Sequence, residues 1–162
     1  MPGARGEKET SFLTSFHFLV LLVVLLDQAA KWLALRFLPS FETLPLIPGV
    51  FHLTLVHNTG IAFGLFRGHE SLLLALITLS LIALGIWGGR MKDSPAFSRR
   101  AFALILGGAA GNWIDRVRCG AVIDYFDFRI WPVFNLADSA ITIGVILYIF
   151  LLLKGDRSKP SS

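Results

Sequence analysis

Four long stretches of this chain are almost continuously apolar, and charged or turn-forming residues separate them. A helix needs roughly 20 mostly apolar residues to cross a bilayer, and somewhat fewer if its ends reach into the interface. The third stretch is short, so we expect its helix to continue past Asp115. The pattern predicts four membrane-spanning helices, over Phe12 to about Leu35, Ser71 to Gly89, Ala101 to about Ile114, and about Phe134 to Leu153.

Two segments between these stretches alternate apolar and polar residues with a period of two. In "VFHLTLVHN", Phe51, Leu53 and Leu55 alternate with polar residues, and the turn-rich "PSFETLPLIPG" comes before it. A similar aromatic alternation occurs in "FDFRIWP", Phe126 to Pro132, which we expect at the membrane interface. The alternation predicts short strands that form a small platform over the helices.

Composition favours an integral membrane protein over a soluble domain. Of the 162 residues, 54% are apolar and only 16% are charged, which is too apolar for a soluble domain of this length. The net charge of +4 does not require a nucleic-acid partner, because basic cytoplasmic loops ordinarily cause such an excess. The single cysteine, Cys119, excludes an intramolecular disulfide, and no nearby residue supplies an obvious base for a nucleophilic thiol.

The positions of the basic residues predict the topology. Arginines and lysines cluster between the second and third apolar stretches and after the fourth. The positive-inside bias therefore places this loop and both termini in the cytoplasm. Residues 1–162 would form one integral-membrane domain, with cytoplasmic tails at 1–11 and 155–162 and extracytoplasmic segments at about 36–70 and 116–133.

Four aspartates should converge at the outer face of the membrane. Asp27 lies in the second half of the first helix, Asp115 at the end of the third, Asp124 in the loop after it, and Asp138 at the start of the fourth. The first and third helices run outward and the fourth runs inward, so all four carboxylates end near one face. Ionisable residues at membrane depth are functional candidates, because each must pair, face a cavity or lose its charge.

Two of the aspartates have cationic neighbours in the sequence. Asp27 and Lys31 are four residues apart on one helix face, and Asp115 is adjacent to Arg116. Ion pairing and capping of buried groups would explain both pairs as well as a catalytic role would. Both interpretations stay open for these residues.

Asp124 and Asp138, in contrast, have no cationic neighbour within a helical turn. Two carboxylates held close together share a proton. The charged one can then take a proton from water while the neutral one protonates a carbonyl oxygen. Asn112 and Asn135 each precede an aspartate by three residues and supply amides that could orient a carboxylate. The pattern is typical of aspartic-protease chemistry.

Other chemistries and other classes of protein fit less well. The spacing of His52, His57 and His69 matches no zinc motif. A base built from Lys31 beside Ser139 is conceivable, although Asp27 explains the lysine better. A transporter would place its aspartates near the midplane and often shows internal repeats, and a scaffold would not explain two unpaired carboxylates.

Four motifs in order resemble one known family. They are "DQAAKWLA", "HNTGIAFGLF", "GGAAGNWIDRVRCGAVIDYFDF" and "FNLADSAITIG", which together span Asp27 to Gly144. This set resembles lipoprotein signal peptidase, the bacterial signal peptidase II. The resemblance implies a metal-independent aspartic endopeptidase of the bacterial inner membrane, with a bundle of four transmembrane helices, a small extracytoplasmic β platform and sensitivity to globomycin. Such enzymes cleave diacylglyceryl-modified prolipoproteins just before the lipidated lipobox cysteine.

The resemblance also implies roles for individual residues, position by position. The catalytic pair is Asp124 of "VIDYF" and Asp138 of "LADSA". The supporting polar residues are Asn58, Asn112, Arg116 and Asn135, and the structural ones are Asp27, Lys31 and Asp115. Asp127 is the alternative to Asp124, and Ile61 replaces a smaller residue found in many members. No metal or other cofactor is implied, the partners are the prolipoprotein and membrane lipid, and we expect a monomer.

Overall fold

A computed structural model describes residues 3–39, 42–60 and 68–156, so the predictions for Ile61 and for the end of the C-terminal tail fall outside the described residues. The described residues form four α-helices and three strands. The helices are α1 (Gly3–Phe37), α2 (Glu70–Arg90), α3 (Ala96–Cys119) and α4 (Leu136–Asp156), with a 3-10 turn at Met91–Asp93. The strands are β1 (Thr43–Ile47), β2 (Phe51–Asn58) and β3 (Val122–Asp127).

Helix α1 begins at Gly3, well before the predicted start at Phe12. Between these positions the chain carries Ala, Arg, Glu and Lys, which have high helix propensity, and no proline to stop the helix. The hydrophobic pattern locates the part of a helix that suits a membrane, and it does not detect a polar extension of the same helix. Helices α2 and α4 begin and end close to the predicted positions. Helix α3 begins at Ala96, before the predicted start at Ala101, and continues past Asp115 as expected.

Three helices in the described part of the chain are long and apolar enough to cross a membrane, over Ser15–Phe37, Glu70–Asp93 and Leu136–Lys154. Helix α3 is not among them, so three of the four predicted spans meet these criteria and the fourth does not. Polar residues such as Asn112, Asp115 and Arg116 lower its hydropathy. It packs against α1, α2 and α4, so protein rather than lipid surrounds much of its surface.

Glycines allow the close packing of α3, as the spacing Gly107-x-x-x-Gly111 predicts for helix contacts. A Cβ atom at Gly107 would lie 2.8 Å from the Cβ of Val23 on α1. A Cβ atom at Gly111 would lie 2.5 Å from Oδ2 of Asp27, also on α1. The small residues therefore bring the backbone of α3 directly against the carboxylate of α1.

The strands form an antiparallel sheet in the order β1-β2-β3. Strand β2 confirms the strand predicted from "VFHLTLVHN", although nearly all of its residues are half-buried and their exposure does not alternate. Asp124 is part of β3, opposite Val56 of β2, whereas the sequence placed it in a loop. Pairing with β2 creates this strand, and that contact is far away in the sequence. Strand β3 ends at Asp127, so most of "FDFRIWP" forms the turn that leads to α4.

Candidate active site

Asp124 and Asp138 face the same cavity, which has a volume of about 230 Å³. Its polar lining residues are Asn58, Asn112, Arg116, Asp124 and Asp138, and its apolar ones are Val122, Trp131, Pro132, Val133 and Phe134. Strands β2 and β3, helices α3 and α4, and the segment before α4 thus each contribute one part of the site. Asn135 is completely buried beside it.

Asp124 is almost completely buried and has an amide donor on each carboxylate oxygen. Asn135 Nδ2 donates to Oδ1 at 2.7 Å, and Asn58 Nδ2 donates to Oδ2 at 3.0 Å. Burial raises the pKa of Asp124 to about 7, the Asn58 hydrogen bond opposes this rise, and the nearby charge of Asp138 adds to it. Asp124 therefore exchanges a proton close to neutral pH.

Asp138 forms a capping box with Asn135 at the start of α4. The backbone N–H of Asp138 donates to Asn135 Oδ1 at 2.9 Å, and the backbone N–H of Asn135 donates to Asp138 Oδ2 at 3.2 Å. The second carboxylate oxygen, Oδ1, accepts a hydrogen bond from Asn112 Nδ2 at 2.8 Å. Asp138 is thus a cap and also lines the cavity, at a helix N-terminus that favours negative charge.

Lys31 sets the direction of the amides that reach the two carboxylates. Its ammonium group donates to Asn112 Oδ1 at 2.9 Å, and because an ammonium group can only donate, the oxygen of this amide must face Lys31. The Nδ2 of Asn112 then faces Asp138. Asn135 Nδ2 also donates to Asn112 Oδ1, at 3.0 Å, and the same group reaches Asp124. One buried cation therefore orients a donor toward each carboxylate.

Lys31 also joins the other two aspartates. Its Nζ lies 2.8 Å from Asp27 Oδ2 and 2.7 Å from Asp115 Oδ2, and all three side chains are buried. The predicted Asp27–Lys31 ion pair is confirmed. The suggested pairing of Asp115 with Arg116 was wrong, because adjacent residues on a helix point in different directions and Lys31 is the partner of Asp115. The convergence of all four aspartates is confirmed, since Asp27 Oδ1 accepts the backbone N–H of Ala137 at 3.0 Å.

Arg116, on α3, brings a positive charge to the cavity. Its Nη2 donates to the carbonyl oxygen of Gly60 at 2.9 Å, and its charge acts on Asp124 and Asp138. The Nε of Arg116 is buried without a hydrogen-bond partner among the described residues. The two carboxylates lack a cation in the neighbouring sequence but have one in the tertiary structure.

Gln28 is a residue of this network that sequence reasoning missed. Its Nε2 donates to Asp115 Oδ1 at 2.9 Å and to the carbonyl oxygen of Gly111 at 3.2 Å. The only signal was its place beside Asp27 in "DQAAK". The Ser139 alternative is not formed, because its hydroxyl donates to the carbonyl oxygen of Asn135 at 3.0 Å while two carboxylates hold the ammonium group of Lys31.

Asp127, the alternative to Asp124, belongs to the platform instead of the cavity. Burial tends to raise its pKa, but hydrogen bonds from Thr54 and Arg129 outweigh burial and lower the pKa of Asp127. Thr54 Oγ1 donates at 2.8 Å and Arg129 Nη1 lies at 3.1 Å from Oδ2. Its carboxylate is therefore fully engaged in holding β2, β3 and the following turn together.

Comparisons with known proteins agree on one family. A family model described as signal peptidase (SPase) II matches residues 19–154. A lipoprotein signal peptidase of Halothermothrix orenii is 43% identical over 141 residues, which cover 87% of this chain and 97% of that protein. One of Syntrophomonas wolfei is 48% identical over 144 residues, which cover 88% of this chain and 95% of that protein.

Two solved structures, each described as a bacterial membrane enzyme, have the same fold. The first superposes with a TM-score of 0.80 at 32% identity and covers 93% of this chain and 95% of its own. The second has a TM-score of 0.75 at 34% identity and covers 88% of this chain and 95% of its own.

Proposed function

This chain belongs to the signal peptidase II family, the proteases that process lipoproteins, and from that premise we propose an aspartic mechanism in which Asp124 and Asp138 are the catalytic pair. The substrate would be a diacylglyceryl-modified prolipoprotein, cut just before its lipidated lipobox cysteine. The observation that carries the proposal is that both carboxylates line one cavity, each held by an asparagine amide.

The roles of the two aspartates differ because their surroundings differ. Asp124, whose pKa is raised to about 7, holds the shared proton, and Asp138, at the helix N-terminus, is the anion. Asp138 takes a proton from water as the water oxygen attacks the scissile carbonyl carbon, and Asp124 gives its proton to the carbonyl oxygen. Asp138 then passes its proton to the leaving amine as the carbon–nitrogen bond breaks, and Asp124 recovers a proton from the tetrahedral intermediate.

The remaining polar residues support this reaction without exchanging protons. Asn58, Asn112 and Asn135 fix the carboxylate oxygens, so the pair needs little reorganisation during the reaction. Arg116 provides a positive charge that limits the cost of a second negative charge when both aspartates are ionised. Lys31, which is held by Asp27 and Asp115, orients the amide of Asn112 and through it that of Asn135.

We place this enzyme in the bacterial inner membrane as a monomeric, four-span protein, with α3 as the fourth span. The basic loop between α2 and α3 favours cytoplasmic termini, and the catalytic cavity then lies near the outer face. That location gives water access to the carboxylates while the signal helix of the substrate stays in the bilayer. A polar α3 fits this arrangement because the other three helices enclose it.

Purified protein in detergent, incubated with a diacylglyceryl-modified prolipoprotein, tests the proposed function directly. We expect release of the signal peptide that survives EDTA, stops with globomycin and does not occur with the unlipidated precursor. Release that EDTA abolishes would contradict the aspartic mechanism. A folded protein that releases nothing would contradict the function itself.

A further inference from the structure

An exposed aromatic turn, Phe128–Trp131, connects β3 to the segment before α4. Ile130 is 92% exposed and Trp131 is 63% exposed, although the preceding strand is mostly buried. Single exposed apolar residues need no explanation, but Trp131 also lines the cavity that contains Asp124 and Asp138. The aromatic turn is therefore an apolar surface that begins at the candidate catalytic site.

The aromatic turn is fixed in position although its backbone is strained. Arg129 has a φ of 66°, the one positive value at a non-glycine residue among those described. Its backbone N–H donates to Asp127 Oδ1 at 2.8 Å, and its guanidinium group pairs with the same carboxylate. Phe128 stacks on Phe134 with ring centroids 5.8 Å apart. Strain that the surroundings hold in place is a feature of functional segments, and here it projects Ile130 and Trp131 outward.

The two walls of the cavity differ in chemistry. One wall carries the carboxylates, Arg116 and the asparagine amides, and the other is formed by Trp131 to Phe134. A substrate with a peptide part and an apolar chain matches both walls at once. The relatives act, by their names, on lipoproteins, whose chemistry combines a peptide with a lipid.

We propose that the aromatic turn is the docking surface for the acyl chains of the substrate, with Ile130 and Trp131 as the principal contacts. The inference rests on the proposed function, in which the lipidated cysteine directly follows the scissile bond. Its acyl chains are joined to the cysteine sulfur through a glyceryl group, so they begin only a few bonds from the scissile carbonyl, and Trp131 lines the cavity that contains both carboxylates. Attachment to the bilayer alone would not require this turn to form a wall of the cavity.

Two substrates that share one peptide and differ only in their acyl groups, dipalmitoyl and diacetyl, test this inference in a single detergent. Ile130→Ser should raise KM for the dipalmitoyl substrate about tenfold, since burial of one isoleucine is worth roughly that factor or more. It should leave KM for the diacetyl substrate nearly unchanged, because an acetyl group has no chain to lie on the turn. The kcat should stay within about twofold, because no catalytic group changes. Ile130→Leu keeps the apolar surface and should behave like the wild type.

Leu46→Ser is the matched control, because Leu46 is 52% exposed on β1, at the other edge of the sheet. It should leave both KM values unchanged. Partition of each substrate into micelles is common to all variants and cancels in the comparison. An Ile130→Ser variant with unchanged KM values would overturn the inference, and so would an equal rise for both substrates, which would indicate general contact with micelle or bilayer. A wild-type protein that cleaves neither substrate would overturn the proposed function and the inference with it.

Discussion

Asp124 illustrates how a carboxyl group can be costly to keep and useful at the same time. Its amide donors, Asn58 and Asn135, favour the anion, but burial dominates and raises its pKa from 3.8 to about 7. The proton that the group keeps at neutral pH is the one that the proposed reaction donates. Asp127, three residues later, has its pKa lowered by Thr54 and Arg129 and holds the platform together.

The raised pKa of Asp124 predicts a specific dependence of stability on pH. At pH values between the ordinary pKa of 3.8 and about 7, Asp124 keeps its proton in the folded protein but has lost it in the unfolded chain. The stabilising contribution of Asp124 is therefore lost as the pH rises through that range. The melting temperature should fall between about pH 5 and about pH 8, and it should fall less in Asp124→Asn, which cannot ionise. Thermal unfolding at both pH values measures this.

Asp127→Asn serves as the control for that experiment, because the pKa of Asp127 is lowered and its ionisation does not oppose folding in this range. It should keep the wild-type fall in melting temperature. If Asp124→Asn also kept the whole fall, the buried proton would have to reside on another group.

At the residue scale, spacing along the sequence predicted only local pairs. The Asp27–Lys31 pair was found because its members are one helical turn apart. The contacts of Lys31 with Asp115 and Asn112 join α1 to α3, and no local pattern encodes them. For the same reason, spacing along the sequence did not reveal that the charge of Arg116 acts on Asp124 and Asp138.

Among the elements, α3 decides the geometry of the site. It carries Asn112, Asp115 and Arg116, and it can place them in the interior because α1, α2 and α4 surround it. Its glycines let it approach α1 so closely that Gly111 leaves no space for a Cβ atom beside Asp27. The close packing of α3 on α1 and the ion pair of Asp27 with Lys31 therefore depend on each other.

Gly111→Ala should consequently disturb both packing and activity. The added methyl group would meet the Asp27 carboxylate at 2.5 Å and displace it from Lys31, so we expect destabilisation of about 1–3 kcal/mol and a lower rate of cleavage. Gly85→Ala on α2 is the control, since a Cβ there meets nothing within 4 Å and alanine has the higher helix propensity. Thermal unfolding and cleavage rates compare the two, and equal behaviour would refute close packing at Gly111.

Long apolar stretches predicted all four helices, although α3 also carries polar residues and does not meet the criteria for a membrane span. They could not predict that β3 contains Asp124, since this strand depends on pairing with β2. They also missed the polar start of α1 at Gly3. Local composition thus determines where the helices lie, and contacts distant in sequence determine how the site is assembled.

At the scale of the whole molecule, the described residues combine three apolar helices with a polar interior at one end of α3. The single cysteine, Cys119, is exposed at that end and reports on the orientation of the protein without an engineered label. If the basic loop is cytoplasmic, a membrane-impermeant maleimide should label Cys119 from the outside of intact spheroplasts. Asp93→Cys in a Cys119→Ser background should react only after the membrane is opened. The reverse pattern would contradict the proposed orientation.

The account depends most on the claim that Asp124 and Asp138 together perform the hydrolysis. The most direct test compares signal-peptide release from a diacylglyceryl-modified prolipoprotein by the wild type, Asp124→Asn, Asp138→Asn and the control Asp93→Asn, with EDTA present and folding checked. Asp93 is exposed in the 3-10 turn that follows α2. We predict that each of the first two substitutions lowers the rate by about a thousandfold or more, and that the control stays near the wild-type rate. A folded Asp124→Asn or Asp138→Asn protein that cleaves at a near-normal rate would contradict the account.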